Sequence, residues 1–150
     1  MVRSAKISDA RTIHQLLLNY ASDGLMLPRS LSDLYENIRD FYVYEEADGT
    51  VIGAVCLHIS WEDLAEVRSL AVAEQASRRG VGRQLVEQCL AEARAIGIKK
   101  VFALTYKVDF FVKLGFCEIE KSELPHKIWG DCIKCAKFPE CDETAMQITV

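Results

Sequence analysis

Apolar and polar positions along the chain fall into short runs with two different periods. Ala10, Ile13, Leu16, Leu17 and Tyr20 recur at helical spacing behind Ser8, a candidate N-cap, and Gly24 marks a stop. Ser30 followed by Asp33 has the form of a capping-box start, which predicts a short helix with Leu31, Leu34 and Ile38 inward. The stretch LMLPRS, containing Pro28, reads as a loop between these two helices. Two β-rich runs, residues 41–44 and 51–59, flank Asp48-Gly49 and predict a hairpin. A third run, Leu64–Val72, is strand-like in composition, but Glu66, Arg68 and Ser69 interrupt its alternation, as a β-bulge would.

The longest periodic stretch follows. Val81, Leu85, Val86, Cys89, Leu90, Ala93 and Ile96 share one helical face, and Gly97 ends the run. KKVFALTY predicts a buried strand, VDFFVKLGF a short helix turning at Gly115 into residues 116–119, and ETAMQITV a last strand. Residues 1–7 make a short first strand at best. This order predicts a mixed sheet flanked by helices, in the α/β or α+β class.

Composition narrows the picture. A chain of 150 residues is expected to form one domain, 1–150, here with a cysteine-containing tail over 120–150. A domain of this size buries roughly 70% of the surface its unfolded chain would expose, enough for a real core. The formal net charge of −4 supplies no excess of cations for nucleic acid. The first residues lack a signal-peptide pattern, and no apolar run approaches the ~20 residues of a membrane span. A cytoplasmic protein with no membrane partner is expected. Its six cysteines are then expected to be reduced thiols or metal ligands.

Candidate chemistry begins at Ser77-Arg78-Arg79-Gly80-Val81-Gly82-Arg83, which opens the long helix. Glycine permits close approach of backbone to ligand, and the first turn of a helix offers unpaired N–H groups at the positive end of the macrodipole. Together these make an anion site. The pattern is neither a Walker A sequence nor G-x-G-x-x-G. Taken alone, it is as readily a basic helix start with permissive glycines as a phosphate cradle.

The order of the pieces says more. RSLAV (68–72), RRGVGRQLVEQCL (78–90) and FFVKLGF (110–116), after a hairpin and two helices, resemble the GNAT superfamily of N-acetyltransferases over nearly the whole chain. The resemblance implies a mixed, mostly antiparallel sheet of six to seven strands with about four helices, and acetyl-CoA as cosubstrate. It implies that the CoA pyrophosphate lies on the turn formed by Arg78, Arg79, Gly80, Val81, Gly82 and Arg83. The pantetheine arm would pair with the end of the preceding strand at Leu70, Ala71 and Val72. Where the family usually has Gln or Arg, three residues before the first glycine, this chain has Ser77. Arg78 and Arg79 are the cations that could compensate, and main-chain contacts need no particular side chain.

Acetyl transfer to an amine needs a base for the amine, a donor for the thioester oxygen and a proton for the leaving sulfur. Glu66 in the central strand is the candidate base, since a charge there is otherwise costly. The competing reading pairs Glu66 with Arg68 on the strand face. The resemblance implies that the N–H of Leu70 polarises the carbonyl. It also implies a tyrosine acid in the short helix, where this chain has Phe111. Tyr106 is the nearby phenol and the candidate acid, or else a buried aromatic at a strand end.

Two segments narrow the acceptor. Residues 24–41 and 124–146 resemble the acetyltransferase part of bacterial N-acetylglutamate synthases, particularly the short stand-alone kind. The resemblance implies L-glutamate as the small-molecule acceptor, in the first step of arginine biosynthesis. Glutamate brings two carboxylates. Arg29, just before a helix start, is placed to clamp one, and Arg68 and Lys107 could serve the other. Without the resemblance Arg29 would read as a solvated loop arginine. Leu27 and Ser69 match positions that touch glutamate through backbone atoms. The longer relatives use an arginine in the C-terminal strand, and this chain has none after Arg94. The kinase-like domain through which those relatives sense arginine is not expected within these 150 residues. The alternative is a GNAT enzyme acting on another amino acid, a small amine or a peptide N-terminus. A homodimer is common in the superfamily.

Cys132, Cys135 and Cys141 form C-x2-C-x5-C, which suits structural zinc if Cys117, His126 or Asp142 completes the set. The reading adopted is instead a metal-free tail whose small thiols pack on Trp129 and Phe138. Cys56 and Cys89 read as packing residues, and His14 and His58 as surface or partly buried side chains.

Overall fold

The computed structural model describes residues 1–22, 29–76, 79–124 and 143–150. Seven strands form one sheet: β1 (Val2–Ser4), β2 (Phe41–Glu45), β3 (Val51–Trp61), β4 (Leu64–Val72), β5 (Lys100–Thr105), β6 (Cys117–Ile119) and β7 (Thr144–Thr149). Their order across the sheet is β1-β2-β3-β4-β5-β7-β6, and every pairing is antiparallel except β4 with β5. Four helices flank it: α1 (Ala10–Ser22), α2 (Leu31–Glu36), α3 (Val81–Ile96) and α4 (Val108–Lys113). This is the mixed, mostly antiparallel architecture that the residue pattern and the resemblance predicted. Among the described residues, no helix is long and apolar enough to cross a membrane.

The sheet separates two apolar layers. Val55, Leu57, Val67, Leu85, Val86, Phe111 and Met146 pack on the α3/α4 side, whereas Ile13, Leu17, Leu34, Phe41, Val43 and Cys56 pack on the α1/α2 side. Each large aliphatic side chain taken fully from water contributes about 1.5–3 kcal/mol. The predicted face of α3 is buried except for its last member, Ile96, which is 54% exposed and is the final residue of the helix. Gly53 of β3 lets α3 lie close. A Cβ there would sit 3.0 Å from both Leu85 Cδ1 and Val81 Cγ1.

Helix starts differ in detail from expectation. Ser8 is not the cap of α1. A 3-10 turn, Ile7–Asp9, precedes the helix, and Asp9 accepts the Lys6 N–H at 2.7 Å. The buried Asp9 carboxylate is held by Arg3 through two hydrogen bonds, at 2.8 and 3.1 Å, which together with the Lys6 N–H overcome the effect of burial and keep its pKa below the usual carboxylate value. Ser30 does cap α2, since its Oγ accepts the Asp33 N–H at 3.0 Å. The reciprocal half of the box is replaced, because the Asp33 carboxylate goes to Arg29. Ile38 is inward as predicted, but in a 3-10 turn beyond α2.

The β2–β3 turn lies at Asp48-Gly49 as predicted. It is longer than a two-residue loop, with Glu46 N–H bonded to the Thr50 carbonyl and Gly49 at φ 90°.

The break in β4 alternation is a bulge. Ala54 faces Ala71 but Cys56 faces Arg68, so Ser69 and Leu70 together oppose Val55. Ser69 adopts φ 56°, a left-handed conformation that costs a non-glycine residue about 1–2 kcal/mol. The extra residue reverses the phase of the strand. Ala65 and Val67 before it, and Leu70 and Val72 after it, all meet the α3/α4 layer. Ala71 meets the α1/α2 layer, the side that alternation also assigns to Glu66 and Arg68.

Candidate active site

The crevice starts where β4 and β5 part. Their parallel pairing covers Leu64–Lys100, Ala65–Val101 and Glu66–Phe102 and then stops. Beyond it β5 continues on β7, and β4 continues on β3. A parallel pair that separates leaves its two edges facing a common gap, a recurrent place for a ligand to enter a sheet.

One wall belongs to α3. Gly80 caps it in a left-handed conformation at φ 74°, with open space where a Cβ would stand. Gln84 donates to the Gly80 carbonyl at 3.1 Å, so the N–H groups of Val81, Gly82 and Arg83 precede the first helical bond. Gly82 sits tight between elements. A Cβ there would lie 3.4 Å from the Phe110 ring and 3.7 Å from Val72 Cγ2. The start of α3, the end of β4 at Leu70, Ala71 and Val72, and Phe110 of α4 are thus brought together. The neighbouring cations are turned to carboxylates: Arg79 to Glu46, and Arg83 Nε to Glu87 at 2.6 Å on the outer face of α3. Arg78 lies outside the described residues.

The other wall faces α1 and α2. Glu66 and Arg68, two apart on one face of β4, form an ion pair of 3.2 Å with side chains 14% and 25% exposed. The competing reading of Glu66 as a partner of Arg68 is therefore realised geometrically, at the same place where a base would stand. Beside them Arg29 is far from a solvated loop arginine, being 12% exposed. Its Nε donates to Asp33 at 2.6 Å and its Nη1 to Ser69 Oγ at 2.9 Å, while its guanidinium carbon lies 5.1 Å from the centre of the Phe41 ring. Burial acts to lower the Arg29 pKa, but the Asp33 hydrogen bond and the neighbouring Cys56 outweigh it and the net shift is upward. The Cys56 thiol is pushed up to about 11 by its own burial, so it stays neutral. His58 is partly exposed, opposite Glu66 in register, with Nδ1 3.8 Å from Asp40.

Tyr106 and Lys107 follow β5. Tyr106 is half-buried, and Lys107 is exposed with its N–H given to Thr105 Oγ1 at 2.8 Å. Phe111 is a packing residue, 4% exposed and set edge-on to Phe110 and Phe116. Leu27 lies outside the described residues, as does the run Cys132, Cys135 and Cys141. Among the described residues no group of three His, Cys, Asp or Glu could hold a metal, and Cys117 is exposed.

Sequence reasoning missed Asp33, Phe41 and Cys56 as neighbours of Arg29. Asp33 was within reach, since an acid four residues after an arginine at a helix start is a known side-chain pair. Phe41 and Cys56 carry no such signal, because only the packing of β2 and β3 brings them under the guanidinium.

A mixed sheet with a parted parallel strand pair beside a glycine-opened helix is the setting in which the comparisons with known proteins are read. The model of the acetyltransferase (GNAT) family matches residues 11–116, and the chain belongs to that family. It is 44% identical over 149 residues to an uncharacterized N-acetyltransferase of Chlorobaculum tepidum, covering 99% of this chain and 96% of the relative. An amino-acid acetyltransferase of Mycobacterium tuberculosis is 36% identical over 133 residues, covering 87% and 76%. The fold superposes on Rv2747 of Mycobacterium tuberculosis, solved in complex with CoA, with a TM-score of 0.88 at 30% identity, covering 100% of this chain and 99% of that one. It also superposes on N-acetylglutamate synthase of Neisseria gonorrhoeae, complexed with coenzyme A and N-acetyl-glutamate, with a TM-score of 0.90 at 28% identity. The chain spans 34% of that synthase.

Proposed function

We propose that the chain transfers the acetyl group of acetyl-CoA to the α-amine of L-glutamate. The observation that carries this reading is Arg29: a shielded guanidinium held against the β4 bulge, beside an ionic pair that contains the candidate base. The Mycobacterium tuberculosis relative named amino-acid acetyltransferase and the structural likeness to N-acetylglutamate synthase support the choice of an amino-acid acceptor.

The residues present suit the donor. Gly80 leaves open space at the head of α3, where the N–H groups of Val81, Gly82 and Arg83 precede the first helical bond and offer main-chain donors to a diphosphate. Arg79 and Arg83 are free to turn from their surface carboxylates, because exposed ion pairs are weak. The edge of β4 at Leu70, Ala71 and Val72 is the strand against which an amide-bearing arm would pair. When bound, acetyl-CoA supplies an electrophilic carbonyl and a thiolate leaving group.

Glu66 removes the proton from the acceptor ammonium, and Arg68 compensates the carboxylate charge in a partly buried site. The N–H of Leu70, in the β4 bulge with Ser69, is assigned the task of stabilising negative charge on the thioester oxygen. Arg29 receives one carboxylate of the acceptor, Ser69 lines the same place, and Arg68 with Lys107 faces the other. As the amine nitrogen bonds to the acetyl carbon, the carbon–sulfur bond breaks; Tyr106, just beyond β5, gives its proton to the departing sulfur, and the surplus proton of the acylated nitrogen replaces it through solvent.

Measuring CoA release with acetyl-CoA and the twenty amino acids tests the proposal. Turnover with glutamate at a kcat/KM above every other amino acid is expected. A higher value with another amine, or none with glutamate, overturns it.

A further inference from the structure

We propose that Asp33, braced by Asn37, is a positioning residue that fixes the orientation of Arg29 and thereby sets the affinity of the site for an acceptor carboxylate. The proposal rests on the reading of Arg29 as the carboxylate-binding group.

Asp33 has no structural need to face Arg29. In a capping box its carboxylate would turn back to the N–H of Ser30. Here Ser30 does its half, holding the Asp33 N–H at 3.0 Å, while Asp33 sends Oδ2 to Arg29 Nε at 2.6 Å. Its other oxygen, Oδ1, accepts from Asn37 Nδ2 at 2.9 Å, and the same Asn37 group donates to the Asp33 carbonyl at 2.8 Å. Asn37 is the C-cap of α2. The six-residue helix therefore carries a chain of contacts along one side, from Asn37 through Asp33 to Arg29 and on to Ser69 Oγ at 2.9 Å. Phe41 closes the face of the guanidinium.

The charges sharpen the point. A resident carboxylate beside a guanidinium that must attract another carboxylate weakens that attraction. Its presence is advantageous only if holding the long, flexible side chain in one orientation is worth more than the field it cancels. With Nε given to Asp33, an incoming carboxylate meets Arg29 through its Nη groups, which fixes its direction of approach. The two effects of removing Asp33 have opposite signs on acceptor affinity, so experiment separates them.

The test compares Asp33→Ala, Asp33→Asn and Asn37→Ala. Asp33→Ala is expected to raise the KM for glutamate roughly tenfold, with kcat and the KM for acetyl-CoA within about twofold of wild type. Asp33→Asn, which keeps an acceptor oxygen, should recover part of that loss. Asn37→Ala should shift the glutamate KM in the same direction by less, and it keeps the proposal testable if Asp33→Ala does not fold. An unchanged or lower glutamate KM in Asp33→Ala overturns the proposal. An activity-independent readout is the Arg29 Nε–H resonance in a nitrogen-15 NMR spectrum. Protection from exchange in wild type and its loss in Asp33→Ala are expected, and persistence in the variant overturns the positioning role. If wild type acetylates other amines but not glutamate, the acceptor assignment fails on its own, and the resonance still judges whether Asp33 holds Arg29.

Discussion

The two faces of β4 are built by different means. Toward α3 and α4 the strand presents Ala65, Val67, Leu70 and Val72, and what meets them is a helix whose apolar face repeats every turn and a glycine turn that opens it. Toward α1 and α2 it presents Glu66 and Arg68, and the bulge at Ser69 meets Arg29 from forty residues away in sequence. The first face is made of local patterns laid against each other. The second is made of charged groups that acquire partners only in the folded chain. On the proposed reading donor and acceptor bind on opposite sides of one strand, so substitutions on the two sides should separate in their effects.

The sharpest way to test that separation is Glu66→Gln. The rate is expected to fall by about 10²–10⁴-fold, the usual worth of a positioned acid or base, with acetyl-CoA affinity unchanged by calorimetry. Retained activity across pH would remove Glu66 as the base and leave it only the partner of Arg68. Next is Arg29→Ala. A loss of roughly 10–100-fold in kcat/KM for glutamate is expected, with the KM for acetyl-CoA little changed. An equal effect on both substrates would merge the two faces and refute the clamp.

On the α3 side the largest expected effect is on stability. Gly53→Ala puts a methyl 3.0 Å from Leu85 and Val81 and should cost about 1–3 kcal/mol, read as a lower Tm with acceptor KM unchanged. Wild-type Tm would show that α3 can shift away without penalty. The smallest effect is assigned to Arg83→Ala. This exposed side chain pairs with Glu87, so a change within about threefold in the KM for acetyl-CoA is expected, if main-chain N–H groups hold the diphosphate. A much larger loss would transfer that task from backbone to side chain.

How much was legible in the chain follows the same division. The α3 face could be read from Val81 to Ala93 because a period of 3.6 is a local property, and only Ile96, the last residue of the helix, departs from it. The bulge in β4 was legible as broken alternation, although its consequence, the reversal of phase at Ser69, was not. Ser8 misled because a hydroxyl before an apolar run is a generic cap signal. The start of α1 was decided instead by Arg3 of β1, whose hold on Asp9 depends on the β1–β2 edge. Arg29 as a solvated arginine was the natural local reading, and it was the packing of α2 on Phe41 and β4 that overturned it.

By itself the amino-acid order determined the class of fold, the glycine turn at the head of α3 and the carboxylate in the central strand. Each is written in spacing or residue type within a few positions, where backbone geometry alone decides the outcome. The tertiary structure decided which charges face one another: Arg29 with Asp33 and Ser69, Arg68 with Glu66, Arg3 with Asp9. Such pairs depend on desolvation and on which strands become neighbours, and neither is a property of any short stretch of chain.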